Sequence, residues 1–291
     1  MSPRDIAATL VVMVIWGLNF AVAKYGLREF SPMLLMSLRF AMVAVMLLPF
    51  VAVPWGRMKE ILVLSVLLGG LHFPLMFTGL TRVDAAAASI AIQLQVPFSS
   101  ILAAVLYRDR LGWKRGLGMA ISFAGVIVIA GEPRALDNTF YLFLVIVAAL
   151  IFSIVNIQIR RIGDINGFAL NGWMAIMAVP QLLVASLLME TGQWEQLYTA
   201  TWLGWSSIAY MAVMVTIVSY LLWYPLVRKY PVNQTMPWTL LAPVFGVISG
   251  IFVLGEPMTP AMIVGGALTL VGVAVIVIRK APKQNQNQSV T

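Results

Sequence analysis

Residues 140–159 read FYLFLVIVAALIFSIVNIQI and contain no charged side chain. The hydrocarbon core of a bilayer is roughly 30 Å thick, so a helix needs about 20 apolar residues to cross it. This stretch has that length and composition, and it therefore predicts a transmembrane helix. Nine further segments share this character, and the ten predicted spans cover about residues 6–24, 33–53, 61–80, 84–106, 115–130, 140–159, 168–189, 202–226, 232–254 and 260–278.

The composition of the whole chain agrees with a membrane protein. Of the 291 residues, 61% are hydrophobic and only 10% are charged, whereas an ordinary soluble domain has about 25% charged residues. A soluble enzyme and a nucleic-acid-binding protein are therefore excluded, although the formal net charge is +8. There is no cysteine and a single histidine, His72, so neither a disulfide nor a metal site is expected. No G-x-x-x-x-G-K-[ST] loop for ATP occurs, and no cofactor is predicted.

Lysine and arginine are distributed unevenly between the two sets of loops. If the N-terminus is cytoplasmic, fourteen of the nineteen lie at the inner face and four at the outer face. Because cytoplasmic loops carry an excess of positive charge, both termini are predicted to be cytoplasmic, in a bacterial inner membrane. The alternative is a signal peptide cleaved near Ala21-Val22-Ala23, which would leave nine spans.

Two blocks of sequence are alike at about half the chain length. Three pairs of matching residues are separated by 147 positions, namely Asp109 and Glu256, Gly118 and Gly265, and Gly125 and Gly272. Residues 1–134 and 135–291 then carry five spans each, the second with a polar tail from Lys280. Because five is odd, the second half enters the membrane from the opposite side. The sequence thus predicts an all-α membrane protein of two inverted five-helix repeats around a central cavity, which is chiefly a transporter architecture.

The motifs in these blocks and near the N-terminus resemble a known family. They are Trp16-Gly17-Leu18-Asn19-Phe20, Ser31-Pro32 leading to Arg39-Phe40, Pro97…Asp109-Arg110-Leu111…Gly118…Gly125, and Pro243…Gly255-Glu256-Pro257…Gly265…Gly272. They are similar to the EamA-type repeat of the drug/metabolite transporter superfamily, and two copies of this repeat together span the whole chain. The resemblance implies ten helices and the export of small metabolites, and it is strongest to YddG-type exporters of aromatic and other neutral amino acids. Asp109 departs from the glutamate usual in the family.

Polar and aromatic side chains within the spans predict a pocket at mid-membrane, because polar groups are costly in lipid and face the bundle interior. The predicted substrate-binding residues are Trp16, Asn19, His72, Phe73, Gln95, Ser153, Asn156, Ser219, Tyr220 and Trp238. Prolines free a backbone carbonyl one turn back, and the predicted hinges are Pro97, Pro237 and Pro243. Gln93 and Gln95 are about 200° apart on an ideal helix. We therefore expect that only one of them faces the cavity. For any single residue, the alternative is a hydrogen bond that joins two helices.

None of the eleven acidic residues lies in the apolar core of a span. An exporter of cationic drugs that exchanges protons needs such a carboxylate. We therefore predict a non-enzymatic facilitator that exports aromatic or neutral amino acids by alternating access without ATP. The alternatives are a proton-coupled exporter of another small metabolite or drug, and a channel. Arg39 lies inside the second span, where it either snorkels outward or binds a carboxylate, and the choice between monomer and homodimer is open.

Overall fold

The computed structural model describes residues 1–107, 112–132, 138–163, 165–230 and 232–278. All regular secondary structure within these ranges is helical. Ten helices there are long and apolar enough to cross a bilayer, which confirms the predicted number of spans: Pro3–Leu27, Pro32–Phe50, Trp55–Leu80, Ala85–Leu106, Trp113–Ala130, Thr139–Ile159, Gly167–Met189, Trp202–Lys229, Met236–Leu254 and Pro260–Val277. Asp109 and Arg110, the boundary at residue 134 and the tail from Lys280 lie outside the described residues.

The ends of the spans follow residues that cap or stop a helix. Asn166 and Thr201 accept hydrogen bonds from backbone N–H groups of the first turn, at 2.9 Å from Phe168 and 3.2 Å from Leu203. The α-helix of the second span ends at Leu47, and a 3₁₀ turn continues it to Phe50, earlier than the predicted residue 53. Val53 itself is disfavoured in a helix because Pro54 follows it. The span ends are thus set by local chemistry that hydropathy does not register.

The two ends of the described chain lie on the same side of the bundle, because the number of spans is even. We call this side the terminal face and the opposite side the far face. At the terminal face the Asp5 carboxylate accepts hydrogen bonds from the Lys229 ammonium at 2.7 Å and from the Tyr230 hydroxyl at 2.6 Å. These bonds tie the start of the first span to the end of the eighth.

Carboxylates at the far face bind helix N-termini. Glu29 accepts from the Thr201 N–H at 2.6 Å, where the eighth span begins. Glu190 accepts from the Met33 N–H at 2.8 Å, where the second span begins. A negative charge is stabilised there because the first N–H groups of a helix are unpaired and carry the positive end of its dipole. Both bonds cross between the two halves of the chain.

The perimeter of the bundle exposes large apolar side chains. Val45, Ile127, Leu187 and Phe252 are between 69% and 83% exposed. A continuous apolar surface of this kind is unfavourable in water and suits contact with lipid tails. The chain is therefore a multi-pass membrane protein whose outer surface is its lipid contact.

The fifth and tenth spans pack at backbone distance through glycines. A Cβ added to Gly125 would lie 2.5 Å from the Gly265 carbonyl oxygen, and a Cβ on Gly272 would lie 2.5 Å from that of Gly118. The two contacts run in opposite chain directions, so the helices are antiparallel. An offset of 147 residues exchanges the two contacts. This exchange is expected at the axis of an inverted repeat, which itself stays a prediction.

Four spans depart from α geometry at matching places. The third and eighth spans contain π-helical segments at Ser65–His72 and Met211–Val218, each of eight residues. The fourth and ninth spans contain 3₁₀ segments at Ile92–Leu94 and Met236–Leu240. Such turns inside longer helices often mark functional positions or hinges. The two 3₁₀ segments supply Gln93, Met236 and Thr239 to the lining of the cavity described next.

Candidate functional site

A cavity of about 580 Å³ lies in the half of the bundle nearer the terminal face. This volume is in the range of ordinary ligand sites, roughly 300–1,000 Å³. Its walls come from the first, fourth, fifth, sixth and eighth to tenth spans. The lining residues are Trp16, Gln93, Gln95, Val96, Ser99, Ser100, Ala103, Arg115, Phe152, Asn156, Tyr220, Met236, Thr239, Ala242 and Ile276. Four of the ten predicted binding residues are among them, namely Trp16, Gln95, Asn156 and Tyr220.

An aromatic cluster forms the wall between the first and eighth spans. The Trp16 indole donates to the Ser219 hydroxyl at 3.0 Å, and its ring meets the edges of Tyr220 and Trp223 at centroid distances of 6.3 and 5.6 Å. Tyr220 in turn stacks on Tyr224, with centroids 5.0 Å apart and an interplanar angle of 4°. Ser219 lies behind the wall, but its bond to Trp16 fixes the ring that faces the cavity.

Gln93 and Gln95 both line the cavity, so the expectation that only one would face it was wrong. The 3₁₀ segment Ile92–Leu94 interrupts the α-helix at this point, and the ideal angle between the two positions does not apply. Both side chains are long enough to converge, and the Gln95 amide donates to the Gln93 carbonyl oxygen at 3.4 Å. The pair presents amide donors and acceptors to the same space.

Further lining residues did not stand out in the sequence. Ser99 and Ser100 follow in the fourth span, and Phe152 stands one turn before Asn156 in the sixth. Arg115 lies at the terminal end of the fifth span, where the sequence indicated only a cytoplasmic loop charge. It is the one charged residue among the lining residues that the structure describes. No carboxylate occurs in this described lining, which therefore offers a cationic ligand no countercharge.

His72, Phe73 and Ser153 lie outside the cavity in this conformation. The His72 Nδ1 is 2.9 Å from the Ala148 carbonyl oxygen, which joins the third and sixth spans. The Phe73 ring meets the edge of the His72 ring with centroids 4.9 Å apart. Ser153 is fully buried and donates to the Leu150 carbonyl oxygen at 2.6 Å. These contacts join two helices or close a helical turn. A hydrogen bond between helices was the alternative to substrate binding for any single polar residue.

Asn19, Trp238 and the three prolines have different surroundings. The Oδ1 atom of Asn19 is buried and has no hydrogen-bond partner among the described residues. Trp238 is half-buried and, like Pro237, belongs to the 3₁₀ segment of the ninth span. Pro97 follows the 3₁₀ segment of the fourth span by three residues, and Pro243 is buried in the ninth span. Irregular turns thus contain Pro237 and lie close to Pro97 and Pro243, and the three hinges stay a prediction.

Glu256 closes the bundle on the far side of the cavity. Its side chain is only 7% exposed, and it accepts hydrogen bonds from the N–H groups of Ala85 at 2.7 Å and Ala86 at 3.0 Å. The Lys24 ammonium lies 3.3 Å from the same carboxylate. This one side chain therefore links the first span, the start of the fourth span and the turn between the ninth and tenth.

The ten spans and the cavity define a class, a multi-pass membrane protein with a ligand-sized cavity between its helices. The chain belongs to the EamA-like transporter family, which matches residues 4–131 and 139–278, and this membership makes it a membrane transporter and not an enzyme. The matched stretches together include all ten spans.

Similar proteins agree with this assignment. A protein of Salmonella typhimurium is 31% identical over 284 residues, which are 94% of each chain. A protein of Escherichia coli is 30% identical over 297 residues, covering 97% of this chain and 99% of that one. Both carry the name "Probable amino-acid metabolite efflux pump". A crystal structure of another protein superposes with a TM-score of 0.61 over 94% of this chain and 96% of its own, and its 18% identity shows the fold alone.

Proposed function

We propose that this protein exports neutral amino acids, including aromatic ones, across the bacterial inner membrane as a facilitator without ATP. The observation that carries the proposal is the cavity, whose described lining residues combine amides, hydroxyls and aromatic rings and include no carboxylate. Amide and hydroxyl groups suit the ammonium and carboxylate of a zwitterion, and the rings of Trp16 and Tyr220 suit an apolar or aromatic side chain. The names of the two relatives support the same substrate class.

The state of the structure fits the first step of export. The cavity lies in the terminal half, and the far half is closed around Glu256. A Cβ on Gly17 would lie 2.7 Å from the Ala242 carbonyl oxygen and 2.8 Å from the Gly246 nitrogen, so the first and ninth spans also meet closely. With cytoplasmic termini, this conformation faces inward and takes up its substrate from the cytoplasm. Release then requires the far contacts to open and the cavity to close.

Efflux from proteoliposomes tests the proposal. Vesicles that contain the purified protein are preloaded with labelled tryptophan, phenylalanine, methionine or threonine, and release is followed with and without a pH gradient. We expect saturable release that is faster than from protein-free vesicles and independent of the gradient. Release no faster than from empty vesicles for all four amino acids contradicts the substrate class.

The same assay separates the alternatives. Acceleration by an imposed proton gradient indicates a proton-coupled exporter, and flux that never saturates indicates a channel. The described cavity lining contains no carboxylate. This absence supports neither a proton-coupled exporter nor a channel. A carrier without coupling also shows counterflow, in which an unlabelled amino acid on one side accelerates the exit of labelled amino acid from the other.

Cysteine labelling tests the membrane orientation, since the natural chain has no cysteine. Ser2→Cys places a thiol at the terminal face, and Tyr198→Cys places one at the far face, where Tyr198 is 84% exposed. A membrane-impermeant maleimide applied to intact spheroplasts should label only the second variant, and both after permeabilisation. Labelling of Ser2→Cys in intact spheroplasts would contradict cytoplasmic termini and would place the cavity of this conformation on the periplasmic side.

A further inference from the structure

Arg39 is a buried cation without a carboxylate partner. It lies in the second span and is 5% exposed, and the ion pairs found in the described part of the chain do not include it. Its guanidinium donates to the Thr216 hydroxyl at 3.4 Å and lies over the Phe73 ring, 5.1 Å from the centroid. Its Nε is buried and has no hydrogen-bond partner there. The guanidinium also donates to Met36 Sδ at 4.0 Å, so two long hydrogen bonds and an aromatic face replace the usual countercharge.

A buried cation without a countercharge lowers the stability of the fold. An ion removed from water costs several kcal/mol, and this cost is recovered only with a well-placed partner. Ionisable groups inside a membrane protein accordingly mark substrate or ion sites. The neighbours of Arg39 come from the two π-helical parts of the structure, since Thr216 lies within Met211–Val218 and Phe73 follows Ser65–His72 directly. An anion is the missing partner.

A second unsatisfied atom, Asn19 Oδ1, lies at the same depth. Among the described residues only this acceptor and Arg39 Nε are buried side-chain polar atoms without a partner. Asn19 follows Trp16 by three residues and Thr216 precedes Ser219 by three, on spans that run in opposite directions. Because Trp16 and Ser219 are hydrogen-bonded, Asn19 and Thr216 both lie about one turn, roughly 5 Å, nearer the far face.

We infer that Arg39 and Asn19 form the recognition site for the α-amino-acid head group. The Arg39 guanidinium binds the carboxylate, and Asn19 Oδ1 accepts a hydrogen bond from the ammonium. One unpaired donor and one unpaired acceptor complement the two ends of a zwitterion. The head group reaches them from the cavity when the Trp16 ring, which lies one turn nearer the terminal face, separates from Ser219. This inference rests on the proposed function and specifies the residues that read its substrate.

Three ligands that share a phenyl group separate the two halves of this site. L-phenylalanine carries both charges, 3-phenylpropionate only the carboxylate and phenethylamine only the ammonium. Binding to the purified full chain is measured by ligand-dependent thermal stabilisation. Arg39→Gln should weaken the binding of L-phenylalanine and of 3-phenylpropionate at least tenfold. It should not weaken the binding of phenethylamine, because the ammonium loses a nearby like charge. Asn19→Leu should weaken the binding of L-phenylalanine and of phenethylamine and leave that of 3-phenylpropionate unchanged. Arg39→Lys should restore part of the loss, because it keeps the charge without the guanidinium geometry.

Two controls keep a recognition role apart from a structural one. Arg28→Gln removes an exposed arginine and should change none of the three affinities. Without ligand, Arg39→Gln should melt at or above the temperature of the natural protein, because it removes an uncompensated buried charge. A melting temperature well below that of the natural protein assigns Arg39 to the fold instead.

The outcomes distinguish this site from the proposed function. The site is overturned if Arg39→Gln keeps its affinity for 3-phenylpropionate, or if none of the three ligands stabilises the natural protein. If amino-acid efflux is normal in that case, the proposed function stands alone. If carboxylate binding depends on Arg39 but no amino acid leaves the proteoliposomes, the site stands and the transported substrate is another carboxylate.

Discussion

Replacing Gly125 by alanine tests the packing of the fifth and tenth spans. The added Cβ would lie 2.5 Å from the Gly265 carbonyl oxygen and 2.5 Å from the Thr269 nitrogen, and closer still to the Thr269 hydroxyl. Two of these three atoms are backbone and cannot rotate away. An ordinary contact begins at 3.4 Å, so the two helices must separate locally by nearly 1 Å.

The expected cost follows from this separation. Overpacking a tight contact costs about 1–3 kcal/mol. The gap also lengthens the hydrogen bond from the Ser122 hydroxyl to the Thr269 carbonyl, now 3.3 Å, which is worth about 0.6 kcal/mol. Alanine returns up to about 1 kcal/mol through its higher helix propensity. The net loss in the free energy of unfolding should be about 2 kcal/mol.

Gly116→Ala on the same helix is the matched control. A Cβ at Gly116 meets nothing within 4 Å, so only the propensity gain remains and stability should rise by up to about 1 kcal/mol. Unfolding in mixed micelles with increasing dodecyl sulfate, followed by circular dichroism, measures both variants. Equal stability of Gly125→Ala and Gly116→Ala would refute the glycine contact.

Two further changes probe the far closure and the cavity wall. Glu256→Gln removes the charge that binds two N–H groups and Lys24. It should lower the free energy of unfolding by about 2–3 kcal/mol. In a chain that also carries Ser89→Cys, it should speed the labelling of that cysteine from the far side. Exposed Glu195→Gln should do neither, and an unchanged labelling rate in Glu256→Gln refutes the role in closure. Trp16→Phe keeps an aromatic ring but loses the hydrogen bond to Ser219, which is worth about 1 kcal/mol. The KM for amino-acid efflux should therefore change several-fold. Trp202 is exposed, and Trp202→Phe should leave the KM unaltered.

Hydropathy was sufficient for the architecture because the length of a span is fixed by the thickness of the bilayer. All ten spans lie within a few residues of their predicted positions, apart from the third, which begins at Trp55 instead of residue 61. That shift arises because the polar residues Arg57, Lys59 and Glu60 can occupy the helix end outside the hydrocarbon. Composition does not mark such ends.

The cavity was harder to predict because it depends on where the helices stop being regular. In the eighth span, Thr216, Ser219, Tyr220 and Trp223 recur at helical spacing and face neighbouring spans, since Thr216 contacts Arg39 and the others contact Trp16. Only Tyr220 of these reaches the cavity. Ideal helical spacing also separated Gln93 from Gln95, which the 3₁₀ segment Ile92–Leu94 brings together.

The unpaired state of Arg39 and Asn19 cannot be recognised from a linear pattern. Arg39 was visible as a charge inside a span, but the sequence does not say whether a carboxylate on another helix reaches it. Glu29 and Glu190 in fact bind the ends of helices. The absence of a partner is a property of the packed bundle, so it became evident only in the structure.

The wide turn at Met211–Val218 sets the angular phase of the rest of the eighth span. A π turn closes its hydrogen bonds from i to i+5 and so accommodates one residue more than an α turn. If the same residues were wound as a regular α-helix, the surplus residue would swing every later side chain by about 100° around the helix axis. Tyr220 would then point away from the cavity, and Ser219 away from the Trp16 indole. The π turn absorbs the surplus residue and so keeps these side chains in their places, and the third span carries a matching π segment in the other half.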